Sequence, residues 1–577
     1  MGKKLMIILF VFAASLNLVF FIGCESSTPT LCASKSGSPG VESRRIAIDD
    51  YVDKMKAGWV GQMVGVGWGG PTEFRYRSEI IPEDKMPQWR PEMVNQFNQD
   101  DIYVEMTFIR SLELYGFDVT HKQAGIDFAN SGYRLWHANR YGRENLRNGI
   151  APPDSGHPKF NKHADDIDYQ IEADYAGLIA PGLPNVAIDL GEKFGRLMNY
   201  GDGLYGGQFV AGMYAEAFFE NDIEKIIRAG LKCIPEQSQY AECINDVLLW
   251  HKQNPDDWQK TWQLIDDKYQ KNPKYRRFTC EMENNFNIDA KINGAYIVMG
   301  LLYGDGDPDR TIIISTRCGQ DSDCNPSNAA GILFTTIGYS NLLDKYVSAL
   351  DPKGKFSHTP YNFPTLIKVC RKLVTQAVKR SGGHIEVDDN GQKVFVIPVR
   401  EPRPGKLEQC WQPGPIAKSR YTKEEMEKIY MGLTKDMDVA VDKFAAGWKI
   451  SNCGDEGDTG LHGIWRKKSN VLVTHPLDED TACVLSKKVQ IPENKKTKLN
   501  LTVGHNPQGD WELIVKADYD ELHKSLVGKA TTRKGWRDIS VDLTSYAGKT
   551  VKLQLINQAN GWHWEEAHWA KLEMVSE

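Results

Sequence analysis

The spacing of apolar residues changes period once along this chain, and that change limits what it can fold into. Over about residues 46–379 apolar side chains recur at intervals of three and four, clearly so in 191–219, the pattern of helices with one buried face. Over about residues 445–577 the interval is two. Leu499, Leu501 and Val503 alternate with polar residues, as do Leu513 and Val515, then Ile539, Val541 and Leu543, then Val551, Leu553 and Leu555. Clusters of Gly, Asn and Asp separate these runs, as in an all-β sandwich. A chain of 577 residues is too long for one hydrophobic core, so an all-α domain followed by a separate sandwich is expected. Between them, 385–387 and 394–397 flank Asp388-Asp389-Asn390-Gly391, a hairpin signal, and the Pro-rich stretch 401–415 reads as a linker; 380–444 is the connection.

The N-terminus reads as an address. Lys3 and Lys4 precede an apolar run over 5–22 that ends at Gly23-Cys24, the layout of a secretory signal. Phe21-Ile22-Gly23-Cys24 resembles a bacterial lipobox, which implies a signal peptide over 1–24, lipidation at Cys24 and an exported lipoprotein anchored to a membrane, periplasmic or at the cell surface. Residues 25–45, rich in Ser, Thr, Pro and Gly at the start, read as a flexible tether. The ten cysteines beyond Cys24 include no C-x-x-C pair, and no disulfide is assigned. Net charge is −6, from 76 acidic and 70 basic residues with no long basic run, which excludes nucleic acid as a partner class. The 15 Trp and 23 Tyr supply flat faces suited to sugar rings as well as to cores.

Two acidic pairs stand far apart in the helical region. Asn98-Gln99-Asp100-Asp101 enters one helical pattern, and Gly319-Gln320-Asp321-Ser322-Asp323-Cys324-Asn325-Pro326 enters another. Both pairs lie where unpaired backbone N–H groups favour negative charge. One such pair is ordinarily a helix cap. Four carboxylates meeting at one place would repel unless a cation lay between them, and oxygen-only ligands select hard ions such as Mg²⁺, Mn²⁺ or Ca²⁺. A third element precedes them: Ala57-Gly58-Trp59-Val60-Gly61-Gln62-Met63-Val64-Gly65-Val66-Gly67-Trp68-Gly69-Gly70-Pro71-Thr72-Glu73-Phe74, a glycine-bearing helix able to pack closely and ending on a carboxylate.

In that order, these three elements resemble the signatures of the ADP-ribosylglycohydrolase family: a small-residue helix ending in Pro-x-Glu, then Thr/Ser-Asp-Asp, then Gly-Gly-Asp-Thr-Asp-Thr-Asn. The resemblance covers about residues 46–345. It implies an all-α fold around one or two Mg²⁺-type ions, with Asp100, Asp101, Asp321 and Asp323 as ligands and Gln99 beside them. It also implies that the ions hold the diol of a ribofuranose while Glu73 assists cleavage at the anomeric carbon, with Asp100 and Asp101 in the catalytic set. Gln99 and Cys324 stand where the family carries hydroxyl residues, and Val66 where an Asp is common. Gln99 still offers a carbonyl oxygen; a thiol is a poor ligand for a hard cation.

Two central segments are further candidates. Asp165, Asp166, Asp168, Glu172 and Asp174 crowd one stretch, and Asn199-Tyr200-Gly201-Asp202 lies beyond it. Glu172, Asp174, Asn199 and Asp202 are expected to contact substrate, and their acidity favours a neutral sugar over a diphosphate. Near the C-terminus, the run resembling galactose-binding-like jelly rolls (543–549) suggests an accessory carbohydrate module, with Trp562 and Trp564 beside Asn560-Gly561 as sugar platforms and Trp569 in the core. The expected protein is a metal-dependent glycosidase of the cell envelope, Mg²⁺ first among the ions, cleaving an N- or O-glycosidic bond of a neutral glycan. An ADP-ribosyl hydrolase and a non-catalytic glycan-binding surface protein are the alternatives.

Overall fold

The computed structural model describes residues 42–278, 283–429, 433–434, 436–454, 456–562 and 564–577. The leader with Cys24, the tether as far as residue 41, and His563 lie outside them, and the helices and strands belong to one compact unit, Ser43–Glu577.

The helical region runs from the opening helix Ile48–Gly69 to Phe363–Arg380. Helices that are apolar on every side belong at its centre. Ala290–Gly304 is buried at every residue, Cys324–Ile337 from its first residue to Thr335, and the opening helix from Ala57 to Gly69. The opening helix lies directly on Cys324–Ile337. An added Cβ at Gly61 would stand 2.4 Å from the Ala330 carbonyl oxygen, at Gly65 2.3 Å from that of Pro326, and at Gly69 2.0 Å from that of Ser322. The two backbones are therefore in contact along a stripe where no side chain fits.

A small antiparallel sheet closes one side of the helical body. Strand His384–Val387 pairs with Lys393–Pro398, which pairs in turn with Ser43–Ala47. Ser43–Ala47 thus corrects the boundary of the tether, read above as continuing to residue 45: Ile46 is buried and joins the helical core with Phe395 and Ile397. The Pro-rich stretch 401–415 is likewise no loose spacer. Tyr205 Oη donates to the Lys406 carbonyl at 2.9 Å and accepts from the Glu408 N–H at 2.7 Å, Arg196 pairs with Glu408 at 2.5 Å, and Tyr200 Oη accepts from the Gly414 N–H at 3.0 Å. Cys410 is buried on Tyr200. The segment has no regular secondary structure, and side chains of the helical region bond parts of its backbone and bind it down as a strap.

The C-terminal region is two antiparallel sheets. One runs Asp520–Val527, Trp511–Ala517, Thr550–Gln558, Cys483–Gln490, Lys449–Ser451; the other runs Trp536–Asp542, Thr497–His505, Ala567–Ser576, Lys468–Thr474, Gly460–Trp465, Leu433–Thr434. The alternating residues of both sheets fill one core, separate from the helical one, in which Leu499, Leu501, Val503, Leu513, Val515, Leu553 and Leu555 are buried. Trp569 lies at its centre on Trp511, ring centroids 5.2 Å apart, with its indole N–H donated to Thr474 Oγ1 at 3.0 Å.

The glycine stripe yields a test. Gly65→Ala pushes a methyl into backbone and is expected to lower the thermal midpoint of the helical region by roughly 5–10 °C. Gly70→Ala, whose Cβ would meet nothing closer than Gln99 Nε2 at 3.9 Å, should shift it by about 2 °C or less. Equal midpoints for the two variants by far-UV circular dichroism would refute the close backbone contact.

Candidate metal centre

Because the opening helix and Cys324–Ile337 touch along their backbones, the C-terminal end of the first is held beside the N-terminal end of the second. Glu73 follows the first; Asp321 and Asp323 precede the second. The turn between is tied twice, by the Phe74 N–H to the Gln320 carbonyl and the Gln320 N–H to the Tyr76 carbonyl, each 2.9 Å, and Thr72 Oγ1 lies 2.9 Å from Ser322 Oγ. Gly319 and Gln320 take positive φ, 82° and 54°, to make it. Helix Asp100–Tyr115 brings the second pair, and Ser327, one turn into Cys324–Ile337, donates to Asp101 Oδ2 at 2.8 Å. Residues as far as 250 positions apart in sequence thereby meet.

The charge here is uncompensated. Burial, then the Asp323 charge, pushes Asp100 up to about 6; burial, then Asp100, holds Asp101 well above the ordinary carboxylate range; burial, then Asp323, does the same to Asp321. Burial also raises Asp323. Glu73 stands at the solvent-open edge and is pushed up to about 8, chiefly by Asp323, then by lost solvent and by Asp100. Asp101 Oδ1, Asp321 Oδ2 and Asp323 Oδ1 are buried with no hydrogen-bond partner. Buried acceptors in that state are rare, and a cation among them would offset the mutual repulsion. The donor set fits a hard divalent ion, and ligand atoms of Asp321, Asp323 and Cys324 lie within 4.8 Å of one another. Burial, then Asp321 and Asp323, raises the Cys324 thiol well above its usual range, which keeps it protonated and leaves the ligand oxygens to the carboxylates. Gln99 is the residue before helix Asp100–Tyr115, half-buried, its Nε2 donated to Gln96 Oε1 at 3.2 Å.

A second wall faces these carboxylates. Asp168 accepts the Ala138 and Asn139 N–H groups at 3.2 and 2.9 Å and is pushed up to about 7 by burial, with Asp100 adding to it. Glu172 Oε1 accepts from Asn139 Nδ2 while Oε2 has no partner; its carboxyl is raised by burial, then by Asp168, Asp100 and Asp101. Tyr103, whose Oη donates to the Arg134 carbonyl at 3.0 Å, stands in the field of Asp100 and Glu172.

Three residues read as substrate contacts are engaged elsewhere. Both oxygens of Asp174 are taken, by Tyr214 Oη and by Asn328 Nδ2 at 2.7 Å, so it is a buried support beneath Asp101. Asn199 accepts from the Tyr169 N–H and donates to the carbonyls of Ala164 and Asp166, fully buried. Asp202 accepts the Tyr240 N–H at 3.2 Å and lies 3.6 Å from the buried Lys291 ammonium, which Asp289 also holds, at 2.7 Å. Trp562 lies edge-on to His475 on the sandwich, centroids 5.5 Å apart, and Trp564 is 48% exposed there. Sequence reasoning missed the supports themselves: Ser327, and Gln62, whose Nε2 donates to Glu105 Oε1 at 2.5 Å. Their signal was faint but present, a polar residue on the buried side of an otherwise apolar helix.

A model of the ADP-ribosylglycohydrolase family matches residues 47–381. Among solved structures, one described as an ADP-ribosylglycohydrolase-related protein complex is similar at 13% identity and a TM-score of 0.37, over 57% of this chain and 99% of that one. The K3 cleaved adhesin domain of Lys-gingipain from Porphyromonas gingivalis is similar at 9% identity and a TM-score of 0.18, over 23% and 93%, and an apo cyclase from Fischerella sp. at 14% and 0.17, over 22% and 72%. No curated protein matches the chain. The match to the family takes in the opening helix, both acidic pairs and their supports, and on it this chain belongs to the ADP-ribosylglycohydrolase family.

Proposed function

We propose that this chain is a divalent-metal-dependent glycoside hydrolase of the cell envelope that cleaves the N- or O-glycosidic bond of a neutral sugar. The observation that carries this reading is the convergence of three unpartnered buried carboxylate oxygens, on Asp101, Asp321 and Asp323, beside a solvent-facing Glu73. Asp100, Asp101, Asp321 and Asp323 would hold the cation. When bound, it supplies a Lewis acid that grips a sugar diol and draws electron density from the anomeric centre. Glu73, at the open edge, exchanges a proton with the leaving atom and with solvent, the part asked of a general acid–base. Ser327 holds the Asp101 carboxylate in one orientation, and Thr72 with Ser322 holds the turn that carries Glu73 toward Asp321 and Asp323.

The second wall supports a neutral reacting sugar. Asp168 and Glu172 add acidic groups around Asp100, and a diphosphate there would be repelled by each in its ionised form. Sugar hydroxyls would instead donate to Glu172 Oε2. Export and lipid anchoring at Cys24 rest on the leader sequence alone; among the described residues no helix is long and apolar enough to cross a membrane. The alternative, release of ADP-ribose from a modified acceptor, is favoured by family membership.

Asp321→Asn is expected to abolish Mg²⁺ or Mn²⁺ binding by titration calorimetry and to lower turnover by roughly a hundredfold or more with the fold intact. Glu73→Gln should retain the cation and lose roughly 10²–10⁴-fold in turnover. Wild-type turnover of Asp321→Asn in the same buffer would end the metal reading. In a panel of neutral furanosides, neutral oligosaccharides and an ADP-ribosylated peptide, turnover is expected among the neutral substrates. Efficient release of ADP-ribose with every neutral substrate inert would instead establish the alternative.

A further inference from the structure

Where the helical region meets the sandwich there is a cleft of about 820 Å³ that the proposed reaction does not use. One wall is helix His137–Arg147 with the loop before it; the other is strand Gly460–Trp465 with the loop before it. Four arginines line the helical wall, Arg134, Arg140, Arg143 and Arg147, against the carboxylates of Glu144 and Asp458. Arg140 pairs with Glu144 at 3.2 Å in an exposed contact. Arg143 and Arg147 are half-buried and held only by carbonyl and hydroxyl oxygens: Arg143 Nη1 donates to the Tyr133 and Ser131 carbonyls at 2.7 and 3.2 Å and to Ser131 Oγ at 3.1 Å, and Arg147 Nε and Nη2 donate to those of Ala129 and Ser131 at 2.8 and 2.9 Å. No carboxylate among the described residues pairs with either. Burial, then Arg143, pushes Arg147 down to about 9, with Glu144 opposing the shift.

The arrangement favours an extended ligand. Arg140, Arg143 and Arg147 follow one another at three- and four-residue steps on one face, a row of about 10 Å at the helical rise. A single phosphate or carboxylate would engage part of that row; a chain bearing repeated charges would engage all of it. The opposite wall presents Trp465, packed on His462 with centroids 4.2 Å apart, so a flat face lies across the cleft from the guanidinium groups. Sugar rings bind the former and oxyanions the latter. Two packed rings separate the cleft from the carboxylate site: Tyr133 lines it and packs on Tyr103, centroids 4.6 Å apart, and Tyr103 faces Asp100 and Glu172. The same helix sends Asn139 to Glu172 on one side and its arginines to the cleft on the other.

We propose that this cleft is a second glycan-binding subsite, which takes the carboxylate- or sulfate-bearing residues of an acidic polysaccharide whose neutral residue lies at the carboxylate site. The proposal rests on the glycoside-hydrolase reading for what occupies the metal centre, and is tested by binding without turnover and without metal.

The mature protein in excess EDTA would be titrated calorimetrically with an oligogalacturonate, a chondroitin sulfate oligosaccharide, a neutral cello-oligosaccharide of the same length, and ADP-ribose. At least one acidic oligosaccharide is expected to bind at least tenfold more tightly than the neutral one, with affinity falling as salt is raised; which one binds distinguishes carboxylate from sulfate. Arg134→Gln and Arg140→Gln, at exposed positions whose loss leaves the fold intact, should each weaken it by roughly tenfold, and Trp465→Ala should weaken it from the sandwich side. Because the titration is run in EDTA, failure of the metal reading and failure of the cleft are read separately. The proposal is overturned if the acidic and neutral oligosaccharides bind alike, if neither acidic oligosaccharide binds at millimolar concentration, or if the arginine variants bind as tightly as wild type. Arginine-dependent binding of ADP-ribose with no acidic oligosaccharide bound also overturns it, and assigns the cleft to a nucleotide.

Discussion

The contact on which the rest of this structure depends is between two backbones. Gly61, Gly65 and Gly69 lie against the carbonyls of Ala330, Pro326 and Ser322 with no room for a methyl group. Side chains between two helices hold their axes about 8–10 Å apart and leave some freedom to slide. Glycine facing backbone removes both the distance and the freedom, because each carbonyl occupies the place where a Cβ would be. The ends of the two helices are therefore held in register, and with them Glu73 on one chain segment and Asp321 and Asp323 on another.

What that register creates is electrostatically unfavourable on its own. Asp100, Asp101, Asp321 and Asp323 are each driven upward by burial, with neighbouring acids adding to it, and three of their oxygens have no partner. Behind this cluster lie carboxylates whose oxygens are both bonded. Ser327 fixes Asp101, Tyr214 and Asn328 take both oxygens of Asp174, and Gln62 with the Tyr175 N–H takes both oxygens of Glu105. Burial raises the carboxyls of both layers, so hydrogen bonding is what divides them: Asp101, Asp321 and Asp323 each keep an unpartnered oxygen, whereas Asp174 and Glu105 keep none.

The sandwich and the strap extend the same logic outward. The strap lies along Tyr200, Tyr205 and Arg196, so the connection between domains is itself part of the helical surface. Past it, strand Gly460–Trp465 faces helix His137–Arg147 across the arginine-lined cleft. That helix starts on Asp168 at the carboxylate site and ends in the cleft, so the two surfaces share one rigid element.

By itself, the chain determined its fold class and the parts of its centre. The change of period at about residue 445 separates helices from strands because side-chain direction repeats every 3.6 residues in one and every two in the other. The acidic pairs were legible because each carries its own local signature at a helix start, and the glycine helix because glycine that recurs in a helix interior demands a packing reason. Only the tertiary structure decided which acids do what. Glu172 and Asp174 are two residues apart and alike in composition, yet one is left with an unpartnered oxygen in the field of Asp100 while the other is bonded to Tyr214 and Asn328. Asn199 and Asp202 likewise turned inward, to backbone groups and to Lys291. The reason is that hydrogen-bond partners here come from segments 30 to 154 residues away. A short motif records what a residue can offer, whereas what is left to receive it depends on which distant segments the packing brings alongside.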